Sequence, residues 1–115
     1  MQKGSCEANW KQIPMPGSDV QLQVSVRARR HLVSIKATGT RFWGPDQAER
    51  YQARIFEIFR LIRLHPEIGV SHEEYGQRIR TFPVEHHIVI YEIDDQNVTV
   101  LAVVPPHANV HRELN

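Results

Sequence analysis

The sequence has 115 residues, 41% of them hydrophobic and 23% charged, with 14 Lys+Arg set against 13 Asp+Glu. That length is a single domain's worth, with enough apolar content for one core without staples. The balance excludes an intrinsically disordered chain and a generic polyanion binder; a single cysteine, Cys6, excludes a disulfide-stapled scaffold.

Residues 1–19 show no period and carry Gly4, Gly17, Pro14 and Pro16. They read as an irregular N-terminal extension ahead of a domain over residues 20–115. Met15 sits just before the patterned sequence and is a candidate for the true start. Val20, Leu22, Val24 and Val26 alternate with Gln21, Gln23 and Ser25, the period of a strand with one buried face. Ala28, Leu32 and Ile35 follow at i, i+4 and i+7, which predicts a helix of about ten residues before Gly39. Thr38 to Gly44 reads as a connection, with Phe42 and Trp43 as an apolar plug between two helices or a surface on which a base or peptide stacks. Pro45 suits a first helical position. Ala48, Tyr51, Ile55, Ile58, Phe59 and Ile62 then recur every three or four residues, a long amphipathic helix with arginines outside. Pro66 closes it.

His65 to Gly69 reads as a turn and the residues through Gly76 as a loop. Gln77 to Phe82 and His87 to Ile93 read as strands, the second with Val89, Tyr91 and Ile93 opposing Ile88, Ile90 and Glu92. Asp94-Asp95-Gln96-Asn97 has turn chemistry. Val98 to Val104 is almost wholly apolar, as a strand covered on both faces would be, and Pro105-Pro106 ends it. Residues 107–115 add a last helical turn or stay loose. The order β-α-α-β-β-β predicts an α+β domain, a two-helix hairpin packed on a mostly antiparallel sheet.

Charge is divided along the chain. Residues 20–63 hold nine Lys and Arg against three acids, and residues 64–115 hold three arginines against eight acids. A near-neutral total thus conceals a basic half and an acidic half, which suits a charged macromolecular partner or simply two solvated faces. No apolar run approaches the ~20 residues needed to cross a bilayer. Met1 to Trp10 lack the apolar stretch of a secretory signal, so the expected address is the cytoplasm.

No Gly-rich phosphate loop, paired cysteines or nucleophile-elbow serine is present. His107 and His111 would share a helix face, but no cysteine or HExxH pattern supports a metal there, so neither metal nor other cofactor is expected. RNA cleavage by 2′-hydroxyl attack needs a base, an acid and cations for the phosphate. Arg78, Arg80, His87 and His107 supply those types if adjacent strands align them. The alternative is that Arg78 and Arg80 are ordinary outward residues of a half-buried strand.

Four stretches carry a resemblance over about Val20 to Leu114. They are the first strand with Ala28-x-x-x-Leu32-x-x-Ile35; the long helix with Gln47-Ala48-x-x-Tyr51, ending in Leu64-x-Pro66-x-Ile68-Gly69; Gly76-x-Arg78 with His87-Ile88-Val89-Ile90-Tyr91 after it; and an apolar strand leading to His107. In order and spacing the chain resembles the ParE branch of the RelE/ParE toxin superfamily. The resemblance implies a helical hairpin over an antiparallel sheet, and a small toxin neutralised by a co-encoded ParD-like antitoxin. Toxins of the ParE type block DNA gyrase by binding and have no catalytic residues. Those of the RelE type cut mRNA on the ribosome with basic residues and usually a C-terminal tyrosine. Residues 104–115 contain neither tyrosine nor lysine, which favours the gyrase branch. The resemblance makes Arg78, Arg80, His87, Tyr91 and His107 candidates for contact with target or antitoxin, without a membrane or a sequence-specific nucleic acid. Where the family usually has an arginine three residues before the histidine matching His107, this chain has Val104. A ribosome-dependent endonuclease and a non-toxic, antitoxin-binding copy therefore stay open beside the gyrase inhibitor.

Overall fold

The computed structural model describes residues 21–72, 74, 78–95, 97–108 and 110–113. The N-terminal extension and the candidate start at Met15 lie outside the described residues. Within them the chain runs β1 (Gln21–Val24), α1 (Val26–Trp43), α2 (Pro45–Leu64), a 3-10 turn (Pro66–Ile68), β2 (Val70–Ser71), β3 (Ile79–Val84), β4 (His87–Ile93), β5 (Asn97–Val104) and α3 (Val110–Glu113). The sheet has the order β1-β5-β4-β3-β2. β1 lies parallel to β5 and the other neighbours are antiparallel, so the α+β hairpin-on-sheet architecture holds, with one parallel edge.

The helical hairpin follows from three local features. Ser25 caps α1 by accepting the Ala28 N–H at 3.0 Å, a contribution of about 1 kcal/mol. Gly44, with φ of 89°, occupies a region open to glycine and costly for other residues, and there the chain reverses. Pro45 then opens α2, where its missing N–H costs nothing.

α1 is a correction to the expected helix. It runs 18 residues, through Gly39 and on to Trp43, across most of the connection expected from Thr38 to Gly44. Gly39 is a packing point: a Cβ placed there would lie 3.3 Å from the Ala48 Cβ of α2, so the absent side chain lets the two helices approach. Thr40 stays helical by returning its hydroxyl to the Lys36 carbonyl at 2.8 Å. A second correction is β2, a two-residue strand too short to show a period, which pairs with Arg80 and Thr81 inside the expected loop. The third strand begins two residues later than expected and runs on to Val84.

One side of the sheet takes the hairpin. Leu22, Val24, Ala28, Leu32, Ile55, Phe59, Ile62, Val84, Val89, Tyr91, Val98, Val100 and Val103 form the main core. Each fully buried aliphatic or aromatic side chain contributes about 1.5–3 kcal/mol relative to exposure. The other side carries a smaller cluster of Ile79, Ile90, Ala102 and Val104, with Ala108 and Val110 folded against it. β5 contributes to both, which accounts for its nearly continuous apolar sequence. The register of β4 and β5 slips between Ile90 and Tyr91, passing over Leu101. Such a bulge re-aims the residues that follow it.

Candidate functional site

The five residues singled out from sequence fall at two ends of the sheet. Arg80 stands opposite Tyr91, and His87 opposite Val84. Four strand residues separate the two levels, about 13 Å at the usual rise. At the first level, the Tyr91 hydroxyl donates to the Pro66 carbonyl at 2.7 Å and accepts the Gly69 N–H at 2.9 Å. Arg80 adds its guanidinium to the carbonyls of Gly69, at 2.7 Å, and Glu67, at 3.2 Å. Together these two side chains bind the 3-10 turn to the sheet, and Tyr91 is wholly buried. Burial also pushes the Tyr91 phenol above its ordinary range. Arg78 is exposed and faces Asp94 at 3.6 Å.

The second level lies where β3 turns into β4, on the side of the hairpin where α1 passes into α2. Tyr51 of α2 reaches that turn with its hydroxyl: it lies 2.9 Å from the Val84 carbonyl, 3.1 Å from the His86 N–H and 2.7 Å from His87 Nδ1. Its ring tilts against both histidine rings, with centroids 5.7 Å from His86 and 5.6 Å from His87. Trp43 stacks on His86 from the far side at 5.9 Å. The expected plug is therefore not formed: Phe42 and Trp43 are 70% and 56% exposed. His107 is on the surface, in a turn closed by the Ala108 N–H on the Pro105 carbonyl at 2.9 Å.

Next to Tyr51 a cleft of about 300 Å³ opens between α1 and the ends of β4 and β5. Its lining includes His31, Ile35, Gly39, Trp43, His87 and Val104. The fold makes it by stopping β1 early. β1 ends at Val24 opposite Val100, and beyond that point α1 serves the open edge of β5. The Ser25 N–H donates to the Val100 carbonyl at 2.9 Å and the Ser25 hydroxyl to the Leu101 carbonyl at 3.0 Å. The Val103 N–H donates to His31 Nδ1 at 3.1 Å. Gly39 removes bulk from the helical wall. Desolvation lowers the affinity of His31 and His87 for a proton, and at His87 the neighbouring rings of His86 and His31 push the same way.

Chemically this is a mostly apolar cleft with two imidazoles in its lining, the usual character of a recognition pocket. Among the described residues no group of three His, Cys, Asp or Glu is placed to hold a metal. The acid–base set that RNA cleavage would need is spread over two levels, with Arg78 and Arg80 at one end of β3 and His87 and His107 at the other. Sequence reasoning missed His31 and Tyr51 as site residues. The first is a lone histidine on a helix, and the second was one apolar position in a heptad-like run.

Comparison with known proteins gives two findings. The family described as "ParE toxin of type II toxin-antitoxin system, parDE" matches residues 22–107. A solved structure titled "Chromosomal ParDE TA system from P. aeruginosa" superposes with a TM-score of 0.66 at 16% identity, covering 75% of this chain and 95% of the other. At that identity the likeness is one of fold. No curated protein matches the sequence.

Proposed function

Since the chain belongs to the ParE toxin family of type II toxin–antitoxin systems, we propose that it inhibits DNA gyrase by binding it and is held inactive by a ParD-type antitoxin. The observation that carries this reading is the extent of the match, which runs from the first strand past the end of the last one. The dispersal of the acid–base candidates supports a binder over a nuclease. General acid–base chemistry needs its groups within hydrogen-bond reach of one substrate. Arg80 instead spends its guanidinium on the 3-10 turn, whereas Arg78, His87 and His107 stay accessible for contact.

The antitoxin would lay an amphipathic helix and an extended piece along the hairpin and the sheet edge. Arg30, Lys36, Arg41, Arg50, Arg54 and Arg60 are all exposed on the two helices, and this basic face favours an acidic partner segment and speeds its arrival. On the target side, Val104 replaces the cation usual in the family and is buried in the outer apolar cluster. We propose that gyrase is accordingly held more weakly than the antitoxin.

Expression of the chain alone in a bacterial host, with and without the adjacent gene, tests the reading. Arrest with elongated cells and DNA damage, reversed by the neighbour, is the expected result. Rapid loss of ribosome-associated transcripts would replace it with the endonuclease, and normal growth with a non-toxic copy.

A further inference from the structure

Arg41 and Phe42 stand at the tip of the hairpin, in the last turn of α1 before the chain reverses at Gly44. Phe42 is 70% exposed, and the guanidinium of Arg41, itself exposed, lies 5.9 Å from the ring centroid. Trp43 beside it is more than half exposed. The tip thus presents two large rings and a cation together, rather than one stray apolar residue. A second cavity, of about 660 Å³, opens where α2 ends. Leu64, Ile68, Ile93 and Val98 supply its apolar lining, and Leu64 and Ile68 are 47% and 40% exposed. Glu67, Asp94 and Asp95, all exposed, add three carboxylates, and no Lys or Arg lines the cavity among the described residues. Arg78, 3.6 Å from Asp94, offsets one of them, which leaves Glu67 and Asp95. The last carbonyls of α2 add partial negative charge at the same end.

We propose that the hairpin tip of one copy of this chain docks in this cavity of a second copy. Phe42 enters between Leu64, Ile68 and Val98, and the Arg41 guanidinium meets the carboxylates of Glu67 and Asp95. A chain cannot fill its own cavity. Trp43 stacks on His86 in the turn between β3 and β4, whereas Asp94 and Asp95 lie in the turn at the far end of β4. The 20 residues of α2 separate the same two ends by about 30 Å. The occupant therefore comes from another molecule. An acidic segment of the kind proposed above for the antitoxin is repelled by the carboxylates. A second copy carries what the cavity lacks, a cation next to an exposed ring. Around the tip Lys36, Arg41 and Arg50 outnumber Asp46 and Glu49, while Arg54 is paired with Glu85 at 2.7 Å. Tip and cavity are different surfaces, so the contact is head-to-tail and each added copy leaves one of each open. The inserted ring buries far less than the ~800 Å² per partner of a standard interface, so the assembly is weak, reversible and dependent on concentration. This contact goes beyond the toxin–antitoxin reading and does not depend on it.

Sedimentation velocity of the purified full chain, without antitoxin, tests the contact over a range of concentration and salt. The wild type should sediment faster as concentration rises, and added salt should reverse the effect by screening Arg41 from the carboxylates. Phe42→Ala removes the inserted ring and Asp95→Lys reverses a charge of the cavity. Each alone should weaken association about tenfold, and thermal melts establish that both fold. Mixed in equal amounts, the two variants should form a dimer that grows no further, because the first keeps an intact cavity and the second an intact tip. A wild type that stays monomeric at millimolar concentration overturns the proposal. So does a dimer that Phe42→Ala abolishes and Asp95→Lys leaves unchanged, which marks a symmetric contact between two tips. Association that survives in both variants overturns it as well. None of these outcomes bears on antitoxin binding or gyrase inhibition, which are measured separately.

Discussion

Replacing Gly69 with alanine tests the junction between the hairpin and the sheet. The backbone there is extended, with φ of −77°, so alanine meets no conformational penalty and the effect is steric. Its Cβ would lie 2.5 Å from the Tyr91 hydroxyl and 2.7 Å from the Thr81 carbonyl oxygen. Neither neighbour can yield freely, since Tyr91 is wholly buried and Thr81 is paired to Ile90 in the sheet. The turn must lift instead, loosening the bonds between Tyr91 and both Pro66 and Gly69. Two such bonds at about 1 kcal/mol each and an overpacking cost of about 1–3 kcal/mol give a loss of roughly 3–5 kcal/mol. Tyr91→Phe removes the same two bonds without crowding and should cost about 1–3 kcal/mol. The double variant should cost less than the sum, because the phenylalanine ring relieves the closest contact. Urea denaturation followed by circular dichroism measures all three. A Gly69→Ala protein within about 0.5 kcal/mol of wild type would refute the steric account.

Three further outcomes are expected. Gly39→Leu should splay the helices by driving a side chain into Ala48, at a cost above about 2 kcal/mol; Gly39→Ala, whose Cβ meets Ala48 at 3.3 Å, should cost much less in the same denaturation assay. Ser25→Ala should cost about 1–2 kcal/mol, since one hydroxyl both caps α1 and serves the Leu101 carbonyl. Stability should depend on pH at both ends. His31 and His87 bind protons less readily when folded, so the unfolded chain takes up more protons as pH falls below 6.5, and stability drops there. Tyr51 and Tyr91 resist ionisation when folded, so the unfolded chain loses protons first above pH 10, and stability drops there too. Melting temperature against pH should therefore show a plateau between those limits.

The helical and strand periodicities were legible because each records burial on a local lattice. Ile55, Phe59 and Ile62 mark the core face of α2 in the sequence, and all three have no exposed surface. The length of α1 was not legible, because Gly39 and its flanking threonines are helix-weakening in isolation. Only the partner helix shows that the missing side chain is what allows contact. The exposure of Phe42 and Trp43 was hidden for the same reason: a helix carried through to Trp43 leaves Phe42 largely in solvent and lays the Trp43 ring on His86. Arg80 and Tyr91 stand out in sequence as polar groups on a strand, but their polar atoms hold a turn from another part of the chain. The Tyr51–His87 contact spans 36 residues, and His31 meets Val103 across 72. No local pattern encodes either.

We propose that the chain acts by holding gyrase. Supercoiling of relaxed plasmid by purified gyrase, with the purified chain added in rising amounts, tests that claim most directly. Inhibition that rises with the chain and disappears when its antitoxin is mixed in first is the predicted result. Undiminished supercoiling at a large excess of the chain, together with cleavage of ribosome-bound mRNA by the same preparation, would contradict it.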